Sequence, residues 1–214
     1  MFGEMLKTCL STATFATGIR LACPLVIGSV GGCFNEKTGT GNLAYECFML
    51  TGAFFGAYGS YISGNPIIGS LIAMLSGIVL AVIYGILVYH LRCNAMIVSI
   101  AYNNSGWALT TLLLTQIWGV RGNFTSPEIV SYKNVSIGAF KNIPVLDTLF
   151  NNNIAMVYLA FVIAGIGTVI MYKTPFGLRL RGVGLNPEAA RTAGINVRKY
   201  KWISLLAMGA CMGL

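Results

Sequence analysis

The chain has 214 residues, of which 56% are hydrophobic and 9% charged, with a mean hydropathy of +0.73 and a net charge of +8. A soluble domain carries roughly 25% charged residues, so this composition excludes a water-facing globule and implies an integral membrane protein. A basic balance of this size would suggest nucleic acid in a soluble protein. Here half of the Lys and Arg fall between Tyr172 and Lys201, which points to membrane topology and to lipid, with no nucleic-acid partner.

A hydrocarbon core needs about 20 apolar residues per helical crossing, so this length allows about five or six spans. Residues 1–13 are mixed and suit an interfacial helix. A first span is predicted from Ala13 to Gly32, with Arg20 as its only charge, followed by a polar turn, Asn35-Glu-Lys-Thr-Gly-Thr-Gly-Asn42. The second span covers Leu43 to Ile62 and ends at the break Gly64-Asn65-Pro66. The third, Ile67 to Tyr89, carries no charge; His90, Leu91 and Arg92 close it.

Residues 94–117 form a fourth apolar stretch interrupted by Asn103-Asn104-Ser105. Residues 118–153 read as a long extramembrane segment that sends one helix back to the bilayer surface. Ile154 to Met171 is the fifth span, and a sixth apolar run starts at Trp202. Thirteen residues from there to Leu214 rise only about 20 Å, too little to cross, so the expectation is a chain truncated at its C-terminus. The fold class expected is all-α: one polytopic transmembrane helical bundle over residues 1–214, with a cytoplasmic loop at 172–201. Lys and Arg accumulate on the cytoplasmic side, which places Lys37, Arg92 and the basic loop inside and the Gly64-Asn65-Pro66 turn and 118–152 outside.

Within the loop a short helix is sharply marked. Asn186 suits the N-cap, Pro187 the first helical position, and Glu188 the positive end of the helix dipole. Ala189, Ala190 and Ala193 are strong helix formers with little bulk, and Gly194 supplies a left-handed stop. About two turns result, with a small face that lets a partner approach the backbone while Arg191 and Arg198 meet acids on it. The alternative is a solvated connector between two spans.

Asn103, Asn104, Ser105 and Thr110 put polar groups at membrane depth, either lining a pathway or bonding helices together. Asn42 and Glu46, at the start of the second span, are candidates for the same pathway. Glu46 has Lys37 or Arg20 as alternative structural partners. The cysteines lack a Cys-x-x-Cys pair and read as reduced packing residues, so no metal site is expected. Three Asn-x-Ser/Thr sequons stand at Asn103, Asn123 and Asn134.

The run Glu188-Ala-Ala-x-x-x-Gly194 resembles the coupling-helix motif of ABC importer permeases. Leu180 to Val197 as a whole is similar to the version found in branched-chain amino acid, simple-sugar and nucleoside permeases. A second block resembles the nucleoside and simple-sugar subgroup: Cys23-Pro24, Gly31-Gly32, Asn35-Glu36-Lys37-Thr38-Gly39, Asn42, Glu46 and Met49-Leu-Thr-Gly-Ala-Phe54. It departs from the usual pattern at Asn42-Leu-Ala-Tyr-Glu-Cys47.

The resemblance implies a permease subunit of an ATP-driven importer in the bacterial cytoplasmic membrane, for nucleosides or simple sugars. Its implied partners are an ABC ATPase chain, a second permease subunit (homologous or identical) and an extracytoplasmic substrate-binding lipoprotein. The coupling residues carried over are Gly184, Asn186, Pro187, Glu188, Ala189, Ala190, Arg191, Ala193 and Gly194. No phosphate-binding Gly-x-x-x-x-Gly-Lys-Ser/Thr loop is present. ATP and Mg would therefore be used by the partner ATPase; this chain is not an enzyme and binds no cofactor. The rival readings are a branched-chain amino acid permease, or a self-contained secondary transporter or channel. The second rival needs ionisable groups in several spans.

Overall fold

A computed structural model describes residues 12–119, 134–135 and 153–214. Of the interfacial helix expected at residues 1–13, residues 1–11 lie outside the described residues and 12–13 belong to the first helix; the surface helix expected within 118–153 falls almost wholly outside them. The elements run α1 (Thr12–Glu36), α2 (Tyr45–Ser63), α3 (Pro66–Gly85, continued by a π-turn over Ile86–His90), α4 (Ala95–Trp118), α5 (Ala155–Lys173), α6 (Pro175–Leu185), α7 (Pro187–Thr192) and α8 (Val197–Gly213). Between α4 and α5 the two-residue strands Asn134–Val135 and Asn153–Ile154 pair antiparallel. The rest is helical, as a lipid environment with no water for backbone groups requires.

Among the described residues, three helices are long and apolar enough to cross a membrane: Thr17–Glu36, Pro66–His90 and Ala155–Lys173. The chain is a multi-pass membrane protein. α2 and α4 have the length of spans, but Ser, Thr, Asn, Gln and Gly dilute their apolar character.

α3 shows how the bundle is held. Gly69, Ala73, Gly77, Ala81 and Gly85 recur every fourth residue and are buried, while Ile67, Leu71, Leu75, Val79 and Ile83 on the other side are exposed. In water this pattern would be inside out. In lipid, large side chains gain nothing by leaving the hydrocarbon, and small residues let backbones approach for van der Waals contact. α8 takes that approach: a Cβ on Gly77 would collide with the carbonyl oxygen of Gly209, and one on Gly209 would stand 2.6 Å from the carbonyl oxygen of Gly77. At the end of the same crossing Gly213 meets Ala73 of α3 and Gly52 of α2. Around it pack Phe48, Ala81, Tyr84, Leu205, Met208 and Met212.

Contacts along the helices give an up-and-down bundle with two distinct ends. Gly56 faces Ala73 and Gly59 faces Gly69, so α2 and α3 are antiparallel. Gly31 lies against Met208 and Gly28 against Met212, so α1 and α8 are antiparallel too. α1 and α5 run side by side in the same direction, Cys23 donating to Met156 O (3.2 Å) and Val30 meeting Gly167. One end holds the 37–44 turn, the 91–94 turn, α6, α7 and the start of α8. The other holds Gly64-Asn65 and the end of α4, where Trp118 meets Tyr58 and Tyr61 edge to face. Among the described residues, every Lys and Arg except Arg20 lies at the first end. That is the segregation expected if this end is cytoplasmic.

Four expectations change. α1 runs on to Glu36, so the polar turn starts later than predicted; hydrophobicity ends at the lipid boundary, whereas the helix ends only where its hydrogen bonds do. Asn103-Asn104-Ser105 does not break α4: Asn103 bonds sideways to Leu43 O and Cys47 N, and the helix runs unbroken to Trp118. The basic loop contains α6 as well as the expected helix; Thr174 caps α6 by accepting from Gly177 N (3.3 Å), with Pro175 at its first position. The last run begins at Val197, capped by Asn196 accepting from Lys199 N (3.1 Å), not at Trp202. Its first turn was read as loop because it is basic.

Candidate functional site

α7 is specified almost wholly by its own residues. Asn186 Oδ1 accepts from the backbone N–H groups of Glu188 and Ala189, both at 3.1 Å. The same residue ends α6, its N–H donating to Gly182 O at 3.2 Å. One extended residue (φ −150°, ψ 99°) therefore joins two helices at an angle. At the far end Gly194 is left-handed (φ +78°), its N–H donates to Arg191 O and that of Ile195 to Ala190 O. These are the two bonds of a Schellman stop, and Ile195 packs beside Ala190 as such stops usually require.

Six residues of helix are not stable alone; tertiary contact holds α7. Ala190 is buried against Val183 of α6 and Val197 of α8, with Ile195 and Tyr200 around them. Glu188, Ala189, Arg191, Thr192, Ala193 and Gly194 remain exposed. The exposed face is thus small and shallow, bordered by charge. Arg191 is in an ion pair with Glu188 at 3.3 Å, and Arg198 donates to the ring of His90 (2.9 Å). Such exposed contacts are worth at most about 1 kcal/mol and exchange readily for acids on another surface.

Gly184 does something different from the rest of the predicted coupling set. A Cβ there would collide with the carbonyl oxygen of Lys37, and one on Gly39 (φ +73°) would stand 3.1 Å from the carbonyl oxygen of Gly184. α6 therefore rests, backbone on backbone, on the turn between α1 and α2. That turn is a buried polar knot. Asn35 Nδ2 donates to Thr40 O (3.2 Å), and Thr38 Oγ1 donates to Asn35 O (2.6 Å) and accepts from Ser204 Oγ of α8 (3.4 Å). Asn42 Oδ1 accepts from Ala44 N (2.8 Å) and Ser99 Oγ (3.3 Å), and Ser99 in turn bonds Tyr84 Oη (3.0 Å). Tyr89 Oη of the π-turn reaches Thr40 Oγ1 (3.3 Å). Burial in low dielectric makes each of these groups costly if left unmatched, so the knot joins α6 to α1, α3, α4 and α8 as one body.

The predicted pathway residues fall in different places. Asn42 is buried in the knot, its Nδ2 also meeting Met208 Sδ (3.4 Å). Asn103 Nδ2 donates to Leu43 O (3.0 Å) and its Oδ1 accepts from Cys47 N (3.1 Å), which satisfies the orphan amide at the start of α2. Thr110 bonds back to Gly106 O (2.9 Å) within α4. Asn104, Ser105 and Glu46 are exposed, and Glu46 makes no ion pair with Lys37 or Arg20 among the described residues. Asn104 lines a shallow groove on α4 with Trp107, Thr111 and Gln116; Ser105 borders a separate apolar cavity of about 680 Å³ between α2, α3 and α4. No single surface among the described residues gathers all six. The residues that sequence reasoning missed are Thr38, Tyr84, Ser99 and Ser204. Ser99 and Ser204 are small polar side chains in apolar runs, a common and unspecific signal; Thr38 is one of several polar residues in its turn, and Tyr84 is one aromatic in an apolar span.

Residues 14–214 match the family described as the branched-chain amino acid transport system permease component. The chain belongs to this permease family. It is 33% identical over 198 residues to the nucleoside ABC transporter permease protein NupC of Lactococcus lactis subsp. cremoris, covering 89% of this chain and 62% of that protein. It is 32% identical over 200 residues to the guanosine ABC transporter permease protein NupQ of Bacillus subtilis, covering 90% and 62%. The putative glucose ABC transporter permease protein TsgC13 of Haloferax volcanii is 25% identical over 94% of this chain and 61% of its own length. The chain thus spans about three fifths of the length of these permeases. No solved structure matches it.

Proposed function

We propose that this permease-family chain forms a membrane-spanning subunit of an ATP-driven importer for nucleosides or simple sugars in a bacterial cytoplasmic membrane. The carrying observation is α7: a short helix capped at both ends, seated on the bundle through Ala190, and presenting Ala189, Thr192, Ala193, Gly194 and the charged Glu188 and Arg191 to solvent. A partner ATPase docks on that face and supplies the hydrolysis, with ATP and Mg bound there. Family membership and the names of the relatives support the substrate class, a second permease subunit and a substrate-binding lipoprotein outside. In this reading a docked α7 moves with the ATPase. α6 follows because one residue joins them, and the knot under Gly184 carries the displacement to the spans as a rigid body.

The test is Gly194→Trp and Glu188→Lys in the assembled transporter. Both variants should insert normally, lose co-purifying ATPase and lose uptake of labelled nucleoside or sugar. Normal co-purification and transport by both would sink the proposal.

A further inference from the structure

We infer that the cytoplasmic mouth of the cleft between α1 and α5 is a binding site for one anionic phospholipid. A cavity of about 140 Å³ lies there, walled by Cys33, Phe34, Thr168, Met171 and Tyr172, with Lys37 at its rim. Both helices that form it are long and apolar enough to cross a membrane, and both end at this level, at Glu36 and Lys173. The cleft therefore opens where the hydrocarbon gives way to headgroups.

Its charge is one-sided. The guanidinium of Arg181 sits over the Tyr172 ring, 5.1 Å from its centre. Arg181 Nε is buried there without a hydrogen-bond partner. Lys37 is exposed, and its ammonium has no partner among the described residues. The nearest acid in sequence, Glu36, accepts from Tyr45 Oη (3.1 Å) on α2. The Lys37 ammonium at the rim, and the Arg181 guanidinium over Tyr172 of the cavity wall, make this mouth electropositive and suited to a phosphate oxygen, since charge-assisted bonds from Arg and Lys are the strong ones.

Below the charges the wall is Val30, Phe34 and Gly167, and Gly167 allows close contact between the helices where its missing side chain would meet Val30. In this proposal the acyl chain lies along the lipid-facing side of this seam and the headgroup sits at the cavity mouth, beside Lys37 and Arg181. A bilayer supplies that ligand at this depth, and each basic residue near an anionic leaflet adds to the attraction. The placement matters because Lys37 and Arg181 stand on the two segments that meet at the Gly39–Gly184 contact. A phosphate shared by both would staple the α6–α7 arm to the 35–42 turn.

The experiment uses the intact chain purified from membranes and reconstituted in nanodiscs of phosphatidylglycerol and phosphatidylcholine. After release into mild detergent, native mass spectrometry counts retained phosphatidylglycerol. The wild-type chain should keep one such lipid in preference to phosphatidylcholine, and K37Q/R181Q should lose it at least tenfold. K199Q/K201Q, with the same loss of charge elsewhere on this end, should retain it. Equal loss from both double variants would mean diffuse electrostatic adsorption and overturn the site. In case K37Q/R181Q does not fold, a phosphatidylglycerol with a photoreactive acyl chain is cross-linked to the wild-type chain. Label concentrated on 29–37 and 167–172 supports the site; label spread over α3 and α4, or none because another protein chain covers the cleft, refutes it.

Discussion

At the scale of single residues, glycine decides how the bundle closes. Gly77 and Gly209 touch through their backbones, so any side chain at either point must push helices apart, not merely displace a flexible neighbour. Gly165, by contrast, has open space where a Cβ would go. Overpacking a tight contact costs roughly 1–3 kcal/mol or more, whereas Gly→Ala on an exposed helix gains up to about 1 kcal/mol. Gly77→Val should therefore lower the midpoint of thermal unfolding in detergent by several degrees, and Gly165→Ala should leave it unchanged or raise it. Similar midpoints for the two variants would show that the α3–α8 crossing does not carry the stability assigned to it. The asparagines make the complementary point. Asn42 and Asn103 look interchangeable as polar residues near a span, yet one completes a buried knot and the other caps a neighbouring helix.

At the scale of elements, α7 and α3 stand at opposite extremes of how a helix is specified. α7 has both its ends written in nine adjacent residues, from Asn186 to Gly194, and its boundaries agree with that local reading. Asn186→Ala removes an acceptor for two amides at once, a loss of about 0.5–2 kcal/mol. Since α7 is short and held mainly by Ala190, the loss should be local. Amide exchange at 188–190 should speed up by about tenfold, while exchange in α3 and α8 stays unchanged. Equal protection in the variant would mean that packing alone sets this helix. α6 escaped notice although Thr174-Pro175 is the same kind of start signal as Asn186-Pro187. The basic residues Arg179 and Arg181 point to a loop by composition, but in the helix Arg179 reaches water along the surface and Arg181 lies over the Tyr172 ring.

At the scale of the whole molecule, two ends with different charge give a topology that does not depend on counting spans. Lys37, Arg92 and the 173–201 cluster share one end with α7, and Asn65 lies at the other. In a background with the native cysteines replaced, Asn65→Cys should react with a membrane-impermeant maleimide in intact cells. Thr192→Cys should react only after the cells are opened. Labelling of Thr192→Cys from outside would invert the molecule and remove α7 from the reach of any cytosolic ATPase.

The membrane setting, the crossings near 66–90 and 155–173, and α7 with its caps were all legible in the residues themselves. Each rests on local chemistry: apolar length against bilayer thickness, or a cap bonding amides two and three positions away. The roles of Asn42, Asn103 and Gly184 were decided only by tertiary structure. Those depend on partners from 56 to 166 residues away, such as Ser99 for Leu43 and Ser204 for Thr38. A buried polar group is acceptable only when its partner is present, and which distant segment brings that partner is a property of the packed bundle.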